Sequence, residues 1–135
     1  MKVILLRNLK YFKFDKILLD APCSGSGTLN IEDNSTLTFT EELIERSIKT
    51  QKELITEAIK HLNKNGELIY STCSILQEEN EDIINYILKK ENIELIPLTP
   101  FEEIPTLPNK LPGTITVCPT KYYEGFYVAK IKKIN

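Results

Sequence analysis

Two cysteines carry the chemistry that this sequence offers. Cys23 lies in Asp20-Ala21-Pro22-Cys23-Ser24-Gly25, just after the apolar run Lys16-Ile17-Leu18-Leu19. Cys73 lies in Thr72-Cys73-Ser74, just after Glu67-Leu68-Ile69-Tyr70-Ser71. If both runs are strands of one parallel sheet, each cysteine leaves its strand at the carboxyl end, the edge where open α/β sheets bind ligands. Two thiols and Asp20 could then face one pocket, with a thiolate as nucleophile. Cys23 shares its turn with Gly25, where backbone can approach a ligand closely. Cys73 precedes an expected helix start, where free amides and the helix dipole favour a thiolate. The plain alternative for each is a small buried hydrophobe, the usual fate of a free cysteine.

The elements that must position these residues follow from pattern. Lys16 to Leu19 reads as a fully buried parallel strand. Ser24-Gly25-Ser26-Gly27 forces a loop, and the stretch from Leu29 to Thr38 is polar and irregular. A helix is expected to start near Thr40, with Glu41 and Glu42 in its first turn; Thr38 with Glu41 also matches a capping box. Leu43, Ile44, Ile48, Ile55, Ile59 and Leu62 recur at helical spacing, and Asn63-Lys64-Asn65-Gly66 should end the helix through a left-handed residue. Glu67 to Ser71 is a second strand. Ser74-Ile75-Leu76-Gln77 offers a capping box for a second helix that buries Ile83, Ile84, Ile87 and Leu88. Ile93 to Leu98 is a third strand. Five of the seven prolines fall between Pro97 and Pro112, marking a loop or lid. Thr114 to Val117 and Phe126 to Ile131 are expected as antiparallel neighbours. This alternation predicts an α/β fold with a mostly parallel sheet and an antiparallel C-terminal strand.

Composition narrows the function. The chain has 135 residues, 41% hydrophobic and 27% charged, enough for one globular domain. Its 17 basic and 19 acidic side chains give a formal charge of -2, so any nucleic-acid contact must come from a local patch. No apolar run approaches the roughly 20 residues that span a bilayer, and Arg7 and Lys10 interrupt the apolar start too soon for a signal peptide. A cytoplasmic location and no membrane are expected. Cys23, Cys73 and Cys118 form no C-x-x-C pair, which argues against a disulfide framework or a closed zinc site; no metal is expected. The single histidine, His61, excludes two-histidine chemistry and reads as a solvated or capping residue. Cys118 reads as packing. Lys130, Lys132 and Lys133 read as a solvated strand end, with phosphate contact as the alternative.

The motifs have a family likeness. Asp20-Ala21-Pro22-Cys23-Ser24-Gly25-Ser26-Gly27-Thr28 resembles the fourth conserved motif of the Sun/RsmB family of RNA 5-methylcytosine methyltransferases. Tyr70-Ser71-Thr72-Cys73-Ser74 with Glu79-Asn80-Glu81 resembles the sixth. Gln51, Asn65-Gly66-Glu67-Leu68, Pro119 and Glu124-Gly125-Phe126-Tyr127-Val128-Ala129-Lys130 are similar to further family positions. The resemblance implies a partial, Rossmann-like, S-adenosylmethionine-dependent fold. Residues 1–135 would be the C-terminal portion of a catalytic domain, with the motifs in 14–135.

By resemblance Cys73 is the nucleophile that adds to carbon 6 of cytosine, and Cys23 is the second thiol, which helps to eliminate it. Asp20 serves both catalysis and the S-adenosylmethionine site. Pro22 and Ser24 contact the base, which must be single-stranded or flipped out. The resemblance implies ribosomal or transfer RNA as partner. The family's Gly-rich cofactor turn and the acidic residue that follows it do not occur before Asp20, whose only preceding acid is Asp15. Val3 to Leu6 would match the family's third strand, and Thr120 replaces a frequent histidine. The chain should therefore be marginally stable alone or paired with a chain that carries the missing N-terminal half. Rival readings are a non-catalytic RNA-binding or regulatory remnant, a thiol redox protein and, more weakly, a DNA cytosine methyltransferase.

Overall fold

A computed structural model describes residues 9–29 and 39–135. Its strands are β1 (Phe14–Asp20), β2 (Leu62–Thr72), β3 (Ile93–Ile96), β4 (Thr106–Leu107), β5 (Ile115–Val117) and β6 (Phe126–Lys133). The helices are α1 (Glu41–Lys60) and α2 (Glu81–Lys90). The strand expected at Val3 to Leu6 and the stretch 30–38, including Thr38, lie outside the described residues.

The sheet runs β1-β2-β6-β5-β4, with β3 pairing β6 beside β5. Among the described residues β1 and β2 are the one parallel pair, so this part of the sheet is more mixed than the mostly parallel one expected. The reason is β6, which takes β2 along one edge and both β3 and β5 along the other. The antiparallel pairing expected of the last two strands is present as Ile115↔Val128 to Val117↔Phe126.

Period-2 burial places Leu19, Leu68, Tyr70, Tyr127, Ala129 and Ile131 on one face of the sheet. Both helices lie on that face. Helix α1 contributes Leu54, Ile55, Ala58 and Ile59, and α2 contributes Ile83, Ile84 and Ile87. The domain core is this single helix-on-sheet layer. On the opposite face Lys16, Leu18, Glu67, Ile69 and Lys130 border an open hollow of about 390 Å³, whose lining also includes Ile17 of the core face. Leu18 is 68% exposed, which corrects the fully buried reading of β1: among the described residues β1 is the terminal strand, with no neighbour on its outer side.

Helix α1 starts where the sequence expects it and ends earlier. The Thr40 side chain caps α1, accepting from the Leu43 N–H at 3.2 Å. At the other end α1 stops at His61, and β2 begins at once. The left-handed residue Asn65 (φ 63°) therefore lies within β2, not at a helix end. There Leu62 to Glu67 spans only Phe14 to Lys16 on β1, a bulge that takes up the surplus residues. The α1 carbonyls of Ile59 and the adjoining Leu62 accept from Lys133 Nζ at 2.9 and 3.0 Å. Lys133 is thus a helix-end donor and not a solvated strand end, and partial burial lowers its pKa. Its neighbour Lys130 pairs with Glu67 at 3.2 Å. His61 is buried rather than solvated. Its Nδ1 meets the Phe12 carbonyl at 3.0 Å, and its own N–H reaches the Ala58 and Ile59 carbonyls.

Helix α2 starts later than its expected capping box. A 3-10 turn, Gln77–Glu79, comes first, and Asn80 occupies the cap position without a side-chain cap bond. Ser74 and Gln77 therefore do not form the reciprocal cap, and Cys73 does not stand at the helix start.

Candidate active site at the carboxyl edge of the sheet

The parallel β1–β2 ladder fixes the site. Asp20 pairs with Ser71 at the carboxyl ends of the two strands, and the Ala21 N–H continues the ladder to the Ser71 carbonyl at 2.8 Å. The Ser71 hydroxyl donates to Asp20 Oδ1 at 2.9 Å, and Asp20 remains exposed. Beyond this point the chain must turn back. Gly25 takes φ 77°, a conformation open to glycine, and the turn Ser26–Thr28 follows. The Gly27 N–H then donates to the Cys73 carbonyl at 3.0 Å. The two loops are thereby held side by side, and Cys23 Sγ stands 3.1 Å from Cys73 Sγ. Both thiols are half-buried and free.

Burial and the hydrogen bond with its sulfur neighbour push the Cys23 thiol up to about 12. Cys23 thus keeps its hydrogen at neutral pH, facing the Cys73 sulfur. A pH dependence follows. The unfolded thiol ionises near its ordinary value of 9.0, while the folded thiol holds its proton to about 12. The unfolded chain therefore binds fewer protons in that window, and stability falls as pH rises from 9 toward 12. Burial also raises Tyr70 and Tyr127 above their ordinary 10.0, so these add losses only at higher pH. Urea melts at pH 8 to 10 should show a declining midpoint in the wild type and a flatter profile in Cys23→Ser. Identical profiles would refute the assignment.

A buried polar frame lies beneath the thiols. Glu79 is fully buried. Its Oε1 accepts from the Ser24 N–H at 2.7 Å and from Gln51 Nε2 at 3.4 Å. Its Oε2 accepts from the Ser24 hydroxyl at 2.7 Å and from the Ser74 hydroxyl. Ser74 Oγ in turn meets Ser26 Oγ at 2.9 Å, and Ser26 Oγ accepts from the Ile75 N–H at 2.9 Å. Asn80 bridges Thr72 Oγ1 (2.6 Å) and the Ser74 carbonyl (2.8 Å). Tyr70 donates to the Glu79 carbonyl at 2.7 Å.

The structure thus brings Asp20, Cys23 and Cys73 to one edge. Pro22 is exposed there, and its carbonyl accepts from Gln51 Nε2 at 2.9 Å. Ser24 directs both its amide and its hydroxyl to Glu79. Cys118 stands apart, near the Pro119 carbonyl. The sequence shows Glu79 only as part of the Glu79-Asn80-Glu81 likeness and assigns it no role of its own. The usable signal was its spacing: Glu79 stands four and eight residues before Ile83 and Ile87, on their buried stripe. Gln51 likewise falls in step with Ile48 and Ile55. Among the described residues no group of three acid, histidine or cysteine side chains could hold a metal, and no helix is long and apolar enough to cross a membrane.

A mixed sheet with helices on one face and reactive groups at the carboxyl ends of adjacent parallel strands is an α/β fold of the methyltransferase class. Solved structures agree. NSun6 from Pyrococcus horikoshii is similar with a TM-score of 0.79 and 32% identity, over 100% of this chain and 34% of that one. A methyltransferase homolog from the same organism gives 0.76 and 33%, over 98% and 43%. The chain belongs to the family described as 16S rRNA methyltransferase RsmB/F, whose model matches residues 5–132. Curated relatives include the 26S rRNA (cytosine-C(5))-methyltransferase nsun-1 of Caenorhabditis elegans, 38% identical over 90% of this chain and 20% of that protein. Ribosomal RNA small subunit methyltransferase F of Shewanella piezotolerans is 36% identical over 90% and 26%. The chain therefore spans about a fifth to a quarter of the length of these two relatives.

Proposed function

We propose that this chain carries the thiol half of an RNA cytosine-5 methyltransferase. The observation that carries the reading is the 3.1 Å approach of Cys23 and Cys73 at the edge that also bears Asp20. Carbon 5 of cytosine is a weak nucleophile. Addition of the Cys73 thiolate to carbon 6 makes the ring an enamine, nucleophilic at carbon 5. S-adenosylmethionine, when bound, supplies an electrophilic methyl group. Departure of Cys73 then requires loss of the proton on carbon 5. Cys23, touching the same sulfur, is placed to take that proton as the general base once its own hydrogen has passed to solvent, and Cys73 leaves as the thiolate. Asp20, exposed beside the pair, orients the ring by hydrogen bonding and so favours the electron-rich adduct. Pro22 walls the base, and Ser24 shapes that wall through its bonds to Glu79. The base is ribosomal or transfer RNA cytosine, single-stranded or flipped out.

The described residues fit only one side of a donor site. Asp20 ends the terminal strand, and the described residues 9–19 leading to it contain no glycine that could cradle a cofactor. No step is therefore routed through the donor here. We propose that the remaining wall comes from a chain or segment carrying the N-terminal half, and that the chain works as a fragment or split half.

The test is covalent trapping on RNA containing 5-fluorocytosine, with S-adenosylmethionine and the complementary half supplied. Fluorine at carbon 5 blocks the final proton loss, so the adduct persists. Wild type and Cys23→Ser should both yield a protein–RNA band, and Cys73→Ser none. A band from Cys73→Ser would overturn the assignment of the nucleophile.

A further inference from the structure

We infer that Glu79 is a positioning residue for the two cysteines, setting their separation by clamping the residue that follows each. The pattern is specific. Ser24 follows Cys23 and Ser74 follows Cys73, and both hydroxyls donate to the same carboxylate oxygen, Glu79 Oε2. The other oxygen takes the Ser24 N–H. One side chain is thus bonded to both loops, directly behind the sulfurs. The inference rests on the proposed roles of Cys23 and Cys73 and adds the residue that aligns them.

The energetics argue against a role in packing. Glu79 is fully buried, and a buried carboxylate is costly to desolvate unless it is well satisfied. All the partners found for it are neutral: two hydroxyls, one backbone amide and the Gln51 amide. An apolar side chain of this volume would fill the space without that cost. What an apolar side chain lacks is direction. Charge-assisted hydrogen bonds are short and fix their donors closely. Gln51 strengthens the arrangement, because its one amide nitrogen reaches both Glu79 and the Pro22 carbonyl just before Cys23. The Tyr70 hydroxyl, deep in the core, holds the Glu79 backbone in place. The clamp is therefore anchored on β2 below and opens on the thiols above.

The separation of the sulfurs can be read without RNA or methyl donor. The purified chain is equilibrated with mixtures of reduced glutathione and glutathione disulfide. Cys23 and Cys73 lose two electrons and two protons to form a disulfide, and glutathione disulfide is reduced to two thiols. The equilibrium constant reports how closely the folded chain holds its two sulfurs. Glu79→Gln keeps the shape but places a donor against donors. It should lower the constant about tenfold or more, the weight of a hydrogen bond to a charged group. Ser24→Ala removes one hydroxyl and should lower it about threefold, and Ser24→Thr, which keeps amide and hydroxyl, should restore it. A residue that served stability alone would shift the urea midpoint and leave the constant of the folded protein unchanged. That result in Glu79→Gln overturns the inference. If Glu79→Gln does not fold, the Ser24 pair decides: an unchanged constant in Ser24→Ala overturns it. Loss of the 5-fluorocytosine adduct from wild type, with a constant that still responds to Glu79, would sink the catalytic reading and leave the clamp standing.

Discussion

Gly27→Ala is expected to separate the two cysteine loops and to destabilise the fold by about 3 kcal/mol, the upper end of overpacking costs. A Cβ on Gly27 would stand 2.3 Å from the Gly125 carbonyl oxygen and 2.7 Å from its Cα. These are backbone atoms and cannot rotate away. They are also bonded in place, since Gly125 N–H donates to the Gly27 carbonyl at 2.8 Å and Gly27 N–H to the Cys73 carbonyl at 3.0 Å. Relief of the clash must stretch the contact that brings Cys73 to Cys23. Gly125→Ala should have the same direction of effect, because its Cβ would meet Ile75 Cγ2 at 2.6 Å and the Gly27 Cα, a backbone atom, at 2.7 Å. Urea unfolding and glutathione equilibrium on both variants check this. A Gly27→Ala protein with wild-type midpoint and wild-type disulfide constant would refute it.

The isolated chain is expected to self-associate through β1, and Leu18→Lys to return it to a monomer. Strand β1 ends the described sheet and carries Leu18 at 68% exposure, beside the hollow lined by Ile17 and Ile69. Phe12 and Tyr11, on the approach to that strand, are 57% and 87% exposed. A long apolar edge is a template for another chain, and lysine is the residue natural edges use to blunt it. Native mass spectrometry of wild type at rising concentration should show dimers and larger species, and the variant should show far fewer. A wild-type monomer that unfolds cooperatively would count against both the sticky edge and the need for a complementary half.

The cysteine edge was legible in the sequence because strand direction and chain order suffice to place it. Leu19 and Tyr70 sit in register on parallel strands, and the motifs after them must emerge together. The resemblance to the RNA methyltransferases rested on those same residues and matches the family to which the chain belongs. What sequence could not show was which groups a buried acid serves. Glu78 and Glu79 are identical in type and adjacent; one is exposed and the other is the hub beneath the thiols. Spacing in step with Ile83 and Ile87 sets Glu79 apart, but only its pairing with Ser24, distant by 55 positions, shows what it holds. Asn65 and Gly66 depart from the expected helix end for a related reason. A left-handed residue after an amphipathic stretch signals a helix end, but tertiary pairing with Phe14 drew the strand back to Leu62 and turned the same signal into a bulge. Lys133 looked like a free charge because the carbonyls it serves lie more than seventy residues earlier.

The placement of β6 has a consequence for how the molecule comes into being. Residues 126–133 are wedged at the heart of the sheet, not along its rim. During synthesis the first two strands can meet early, yet Leu68 and Tyr70 stay without their lateral support until the ribosome has delivered that late segment. Assembly should therefore be slow and dominated by distant partners, with a prolonged window in which chaperones have something to hold.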